Sequence, residues 1–430
     1  MDNGVLREYS VTRKKGVGIR VIVDGFEGFS ATNNLDKESI RIAIEKAIKT
    51  ARAMSYGGKK VKLAEKPVSK DKISSKYSID PLTIDPEEKV GIVKEMNKAS
   101  REIEGVVSST TRLGIQYDHR IFASTEGDYV DVEVRLVGVG QYSIASRAGV
   151  MERVYDSRSM VAGWEYIKSL DLTGFAREVS DLAVKATQAK AIKPGTYTAI
   201  LDNEMVGLLL HEAFGHATEG DIVAGKGSIL YGKVGEKVAS KHVTIVDDGL
   251  IEGGYFVPYD DEGVKKRKVK TVENGVLKRF LQSRTTATLL GMELTGNARA
   301  QDYEHQVLVR QTNTYMEPGD YSVEELFEGV KKGVYVRGRG ALGGQVDTSM
   351  GTFTFTAGPS YLIEKGEIKE LVRGVMLSGM ILETLKNVDA VAKDLKVKTS
   401  VFGGCGKDGQ LARVGDGGPH IRVKKITIGG

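Results

Sequence analysis

The sequence predicts an α+β fold of two domains with mostly antiparallel sheets. Three observations carry this reading. Apolar residues alternate with period two in more segments than they recur at helical spacing, so strands outnumber helices. Successive strand segments are joined by short turn signals and not by helical crossovers, which favours antiparallel pairing over a βαβ repeat. The 430 residues include 52 glycines, about 12% against a usual ~7%, and only 8 prolines. Without a Gly-X-Y period, that many glycines mark tight turns and close backbone approaches. At ~150 residues per domain the length suits two or three domains. The helix break at Lys193-Pro194-Gly195 divides the chain into 1–190 and 191–430.

In chain order, Tyr9–Val11 and Val17–Val23 read as strands split by a turn at Lys14-Lys15-Gly16. Ile40, Ala43, Ile44, Ala47, Ile48 and Ala51 form a stripe at three- and four-residue steps, a helix over Ser39–Met54. Residues 57–82, rich in Lys and Ser with Pro67 and Pro81, read as a long surface connection. Asp85-Pro86-Glu87-Glu88 opens a second helix running to about Ile103, with Asp as cap, Pro at the first helical position and acids in the first turn. From Gly105 to Ala145 the period becomes two. A strand through Ile115, Tyr117, His119 and Ile121 joins another over Tyr129–Val139 at Glu126-Gly127-Asp128, giving an antiparallel meander. Phe175, Val179, Leu182, Ala183 and Ala186 line one side of a helix over Asp171–Ala189.

The second domain opens with a strand, Thr196–Leu201, and an apolar helix, Met205–His216. Val243–Asp247, Gly253–Val257 and Lys265–Thr271 are short strand candidates, and Asn274-Gly275 is a hairpin turn. Val307–Thr312 reads as a strand, Pro318-Gly319 as a turn, and Ser322 with Glu325 has capping-box spacing. Residues 334–376 are glycine-punctuated strands, clearest in Thr352–Thr356. Met380–Leu395 reads as the last helix and Ile421–Ile428 as the final strand.

Lys and Arg total 62 against 57 Asp and Glu, a net charge of +5, too small for a strong electrostatic case for nucleic acid. The run Lys265–Lys270 holds five basic residues in six but reads as a solvated strand or loop. One cysteine excludes an intramolecular disulfide and a Cys-rich zinc site. Met1-Asp2-Asn3-Gly4 shows no basic segment before an apolar run, which predicts no secretion signal. The longest apolar stretches, Met205–Leu210 and Gly374–Leu377, fall far short of the ~20 residues of a membrane span. These features predict a cytoplasmic protein that does not enter a membrane. The glycines at 338–344 precede a strand-like run and not a helix, so they do not make a dinucleotide site. Trp164 reads as core or interface.

One segment carries chemistry: Leu208-Leu209-Leu210-His211-Glu212-Ala213-Phe214-Gly215-His216. In the H-E-x-x-H arrangement, two histidines four apart face one side of a helix and bind one zinc, and the Glu acts as base. Here the spacing is five, which at ~100° per residue turns the second histidine about 140° away from the first. One extra residue in the turn, a π-bulge, would restore the alignment, and Gly215 would supply the backbone freedom. The alternative is a pair of core histidines bonded to neighbours. Catalytic zinc normally has three protein ligands. His119, His242, His305 and His420 lack a comparable context. Cys405 sits in Gly403-Gly404-Cys405-Gly406-Lys407-Asp408-Gly409, a loop able to approach another element, with Lys407 nearby to favour the thiolate. A lone cysteine is also commonly a small buried apolar residue.

The run His211 to Asp221, H-E-A-F-G-H-A-T-E-G-D, resembles the signature of the TldD/PmbA family, the modulators of DNA gyrase. The Gly-Gly-Cys-Gly-Lys-Asp-Gly-Gln run resembles that family's C-terminal cysteine loop, and Gly343-Gly344-Gln345-Val346-Asp347 with Gly351-Thr352-Phe353 its glycine-rich strands. The resemblance covers the whole layout, with the metal-motif helix in the C-terminal domain. It implies a metallopeptidase of the TldD type that acts with a TldE/PmbA-type subunit lacking the histidine motif. His211, His216 and Cys405 would then hold Zn2+, leaving a position for water, and Glu212 would be the general base. Glu219 and Asp221 could orient a ligand histidine or form a solvated acidic turn. The substrate implied is a short or unfolded peptide, and the assembly a heterodimer with that subunit or a homodimer. The glycine-rich strands at 338–356 are the expected wall of the cleft, since a peptide backbone can approach them closely. A non-enzymatic regulatory or binding subunit is the alternative. A cysteine hydrolase pairing Cys405 with His420 is a third reading, without an identifiable orienting residue.

Overall fold

The computed structural model describes residues 1–429. Val17–Val23 and Phe26–Thr32 form a hairpin that turns through Asp24 and Gly25, both at positive φ. The helix Lys37–Met54, capped by the Asp36 carboxylate, lies across it. Its buried stripe is Ala43, Ala47 and Ala51, because the helix sits too close to the hairpin for larger side chains. Gly28 is part of the same constraint: a Cβ there would strike the helix backbone at Ala47 and Ala51. Tyr9–Val11, expected as a strand, joins no ladder, and both of its large side chains are exposed.

The middle of the chain is a four-stranded sheet backed by helices. Val106–Ala123 and Tyr129–Arg147 pair antiparallel along nearly their whole length. Val150–Met160, whose largely polar alternation hides it as a strand in the sequence, pairs with the second of them. Lys70–Ser74 adds a parallel strand, so the connection 57–82 is not purely irregular. Helices Pro86–Arg101 and Leu172–Gln188 begin at Asp caps and cover one face, where Met96, Val137, Val139, Val154, Trp164 and Phe175 form the core. On the other face, Val130, Val132, Val134 and Leu136 pack against Tyr255, Val257 and Val401 from the C-terminal half. Gly253–Val257 forms no ladder because its backbone groups are bonded elsewhere: the Asn313 side-chain amide accepts from the Tyr255 N–H and donates to the Tyr255 carbonyl, and the Val257 N–H donates to the Gly249 carbonyl.

Beyond residue 190 two sheets dominate. The larger has ten strands and runs from the edge strand Gly343–Asp347 through Thr352–Thr356, Met376–Met380, Ile421–Gly429, Gly195–Leu201 and Lys332–Val336 toward Lys190–Ala191. The smaller has six strands, with Ile245–Asp247 and Asn313–Met316 at its centre. Pairing is mostly antiparallel, with three parallel exceptions in these two sheets. The expected Asn274-Gly275 hairpin is present, with both residues at positive φ. Ser322 and Glu325 form the expected capping box. Three segments differ from expectation, the first being Lys265–Thr271, where the strand covers only Val269–Glu273. Val307–Thr312 is a strand only at Leu308–Val309, and the last helix covers only Ile381–Lys386, after which Val388–Val391 pairs with Ile421–Gly429. The apolar β-branched residues after Asn387 explain the last difference, since they bury better against a strand than along an isolated helix. The largest core, including Leu201, Met205, Leu209, Phe214, Phe353 and Phe355, surrounds the helix that follows Gly195–Leu201.

The basic run 265–270 is neutralised locally. Arg267 pairs with Glu293, Lys268 with Glu317 and Lys270 with Glu273. Lys266 points inward, with Nζ 2.6 Å from Asp247 Oδ1, 2.8 Å from Asn297 Oδ1 and 3.2 Å from the Thr295 carbonyl. Removing one partner of a buried pair strands the other charge. Asp247→Ala is therefore expected to cost about 3–5 kcal/mol, read as a fall in thermal stability. A loss under about 1 kcal/mol would show that the cluster is not needed.

Candidate metal centre

The histidine helix starts at the Asp202 cap, whose carboxylate accepts the Met205 N–H. It is α-helical over Asn203–Leu208 and π-helical over Leu209–Gly215. The His216 N–H donates to the His211 carbonyl, an i→i+5 bond that closes the wider turn. This is the irregularity that the five-residue spacing demands. The reason for Gly215 is different from the one expected. Its φ of −59° and ψ of −48° are ordinary helical values open to any residue. A Cβ there would instead run into the side-chain amide of Gln311.

The widened turn brings the two imidazoles together, their centroids 5.3 Å apart and their planes at 82°. Cys405, on the short strand Cys405–Lys407, meets them from the opposite side. One donor atom from each of His211, His216 and Cys405 lies within 4.8 Å of the other two, and all three residues are buried. Cys405 Sγ is 3.2 Å from His216 Nε2. Glu212 Oε2 is 3.8 Å from the same nitrogen, and its side chain is 37% exposed against 11% for His216. Glu212 is thus the group of this cluster that faces solvent.

His216 is fixed through its other nitrogen. Nδ1 is 3.1 Å from Glu219 Oε2, a carboxylate with no exposed surface. Lys407 Nζ in turn lies 3.0 Å from Glu219 Oε2 and 2.7 Å from Asp221 Oδ1, and donates to the Val309 carbonyl at 2.9 Å. Of the two alternatives for the acidic pair, the orienting role fits Glu219. Asp221 acts one step further out, holding Lys407. Lys407 was expected to favour the thiolate, but its ammonium is committed to these carboxylates. Burial pushes the Cys405 thiol up, and the adjacent His211 and His216 more than offset this, drawing it down to about 5. Burial disfavours charge on His216, yet Glu219 and Cys405 raise it to about 11. Burial likewise opposes charge on His211, and Cys405 raises it. Burial raises Glu219, and His216 and Lys407 outweigh that and hold it low.

The donors suit a zinc ion. Both ring nitrogens of His211 are buried and have no hydrogen-bond partner among the described residues. A buried polar side chain without a partner is costly, and a ligand would remove the cost. Two imidazoles and a thiolate match the mixed nitrogen and sulfur sets that bind zinc. His420 does not join the cluster. Its Nδ1 is 2.7 Å from Asp394 Oδ2 and its Nε2 2.9 Å from the Tyr335 hydroxyl, which removes the pairing with Cys405 expected of a cysteine hydrolase. His119, Asp131 and Glu133 also converge, but Lys72 lies 3.7 Å from Asp131 and Arg135 3.3 Å from Glu133, so both carboxylates already have cations beside them. Gln311, which holds the His211 carbonyl from 100 residues away, had no signal in the sequence beyond the glycine it requires at 215.

Fold and site together define a class: an α+β protein whose two C-terminal sheets enclose a histidine–cysteine donor group beside a glutamate. Residues 1–53 match the first domain, 79–187 the central domain and 194–430 the C-terminal domain of the PmbA/TldA metallopeptidases. A metalloprotease of Methanothermobacter thermautotrophicus is 38% identical over 430 residues, covering 100% of this chain and 92% of that protein. A zinc metalloprotease TldD homolog of Saccharolobus solfataricus is 33% identical, covering 97% and 90%. The solved TldE of Thermococcus kodakarensis superposes with a TM-score of 0.77 at 23% identity, covering 96% of this chain and 89% of that one. The chain belongs to the PmbA/TldD metallopeptidase family.

Metal-free protein should take up about one zinc per chain, and Cys405→Ala should weaken its retention. Elemental analysis of untagged protein decides both, and zinc held equally well by the variant would make Cys405 a packing residue. Zinc requires neutral imidazoles, and His216, raised to about 11, keeps its proton at neutrality. Binding should therefore expel about one proton per zinc from His216 at about pH 7 and tighten as pH rises. Calorimetry in buffers of different ionisation enthalpy reads that number, and release of none would contradict the thiolate–imidazolium pair.

Proposed function

We propose that this chain is a zinc-dependent peptidase that cuts short or unfolded peptides, with Glu212 as general base. The observation that carries the proposal is His211, buried with both ring nitrogens unpartnered and grouped with His216 and Cys405. Zinc held by these three residues would supply Lewis-acid character, polarising a scissile carbonyl and acidifying a water.

The remaining roles belong to the chain's own side chains. Glu212 reaches toward solvent beside His216, where it can accept a proton from an attacking water and return it to the leaving amine. Glu219 accepts from His216 Nδ1, leaving Nε2 free to face the centre. Cys405 enters as thiolate, since the histidines beside it favour that form.

The substrate reading rests on the edge strand Gly343–Asp347, which among the described residues pairs only with Thr352–Thr356. Its outer backbone groups can pair with an extended peptide, and recognition through main-chain bonds gives broad sequence tolerance. A folded domain cannot offer its backbone to a sheet edge. The likeness of fold to TldE of Thermococcus kodakarensis supports a partner of similar shape, and a homologous subunit, as a heterodimer or homodimer, would enclose this edge. No helix of the described residues is long and apolar enough to cross a membrane.

Glu212→Gln should abolish peptide hydrolysis by ~10²–10⁴-fold while leaving zinc in place. Retained activity with bound zinc would remove Glu212 from the mechanism. One protein substrate offered folded and unfolded, to this chain alone and with its homologous subunit, should be cut only when unfolded and most efficiently by the pair. Equal cleavage of both forms would refute the edge-strand reading, and full activity of a demonstrated monomer would refute the need for a partner.

A further inference from the structure

The chain segment Arg310–Gln311, between Leu308–Val309 and Asn313–Met316, bonds Cys405 and His211 directly and reaches His216 through Glu219. Arg310 donates to the Cys405 carbonyl, and through its other nitrogen to the Gln410 carbonyl at 3.3 Å. The Gln311 N–H reaches Glu219 Oε1 at 3.3 Å, the carboxylate whose other oxygen orients His216. Gln311 Nε2 donates to the His211 carbonyl at 3.0 Å. Its Oε1 accepts from the Thr314 hydroxyl at 2.6 Å, shorter than that hydroxyl's 3.3 Å contact with Asp247. The His211 carbonyl can only accept, so the amide nitrogen must face it, and the orientation of Gln311 is fixed. Gln311 has no exposed surface.

The position of this amide matters because of what it does to the helix. The His211 carbonyl already takes the i→i+5 bond from His216. A π turn is rarely adopted without a local reason, and a side chain inserted against the helical ladder is one such reason. The Gln311 amide gives the His211 carbonyl a second donor, and its oxygen fills the space that a side chain at 215 would need. Gly215 and Gln311 therefore interlock.

We propose that Gln311 is a positioning residue for the metal centre, its buried amide holding the π turn that aims His211 and His216 at one point. The role rests on the zinc reading above and goes beyond it, since it concerns a residue that neither ligates nor touches substrate. Outer partners of metal ligands typically contribute 10–100-fold in affinity. Glycine is required at 215 only because of Gln311: with the amide gone, alanine at 215 becomes harmless, because alanine is the better helix former.

The test uses the full-length chain stripped of metal. Zinc affinity is read by chelator competition, and ligand geometry by the sulfur-to-cobalt charge-transfer and d–d bands of the cobalt form. Gln311→Met keeps the volume, removes the donor and leaves Thr314 free to donate to Asp247. It should bind zinc roughly 10–100-fold more weakly and shift the cobalt bands, while thermal unfolding shows an intact fold. Gly215→Ala should do the same alone, yet add nothing in a Gln311→Ala background, a non-additivity expected only of interlocking residues. Wild-type affinity and cobalt spectrum in folded Gln311→Met, or additive losses in the double variant, would overturn the positioning role. If Gln311→Met does not fold, the Gly215→Ala and Gln311→Ala pair carries the test on the same criterion. A wild-type chain that binds no zinc would overturn the metal centre itself and this role with it.

Discussion

The hydrogen bond from the His216 N–H to the His211 carbonyl is the constraint on which the site depends. Histidines five residues apart diverge on an α-helix, and this bond turns the chain one residue wider so that they converge. Everything near the helix is arranged around that turn. The Gln311 amide lies against it, Gly215 leaves room for the amide, and Glu219 takes the free nitrogen of His216. The Cys405 strand arrives from a different part of the chain and is held by Arg310 and Lys407.

This arrangement places several charged and polar groups where water does not reach them. Glu219, Asp247 and Lys266 are all buried, and each is matched by a partner of opposite charge or by a donor or acceptor. Burial of such groups is tolerated only when the geometry of pairing is good, so the network resists rearrangement. Rigidity of this kind suits a site that must hold three donors at fixed positions before any ion arrives. Both ring nitrogens of His211 lack a hydrogen-bond partner among the described residues, as does Arg310 Nε. The His211 imidazole is the one of these grouped with a second imidazole and a thiol, which is why a ligand is proposed there.

Much of this was legible in sequence. Helices with Asp caps, the Asn274-Gly275 hairpin and the alternation at Thr352–Thr356 follow local rules, and their structure obeys those rules. The π turn was readable because histidine spacing is a geometric quantity. What failed did so where long-range packing decides. Gly253–Val257 was read as a strand, but the Asn313 side chain, distant in sequence, bonds the Tyr255 N–H and carbonyl. Lys407 was assigned to the thiolate from proximity in sequence, whereas Glu219 and Asp221 claim it in space. Glu219 was within reach of sequence reasoning, three residues after His216, while Gln311 was not, because nothing local ties residue 311 to residue 211.

The proposed zinc site has two imidazoles and one thiolate as its protein donors. X-ray absorption at the zinc edge of the zinc-loaded chain reads the donor atoms directly. One sulfur and two imidazole nitrogens are expected, with the remaining coordination from a light atom. A first shell without sulfur, or with a single imidazole, would contradict it.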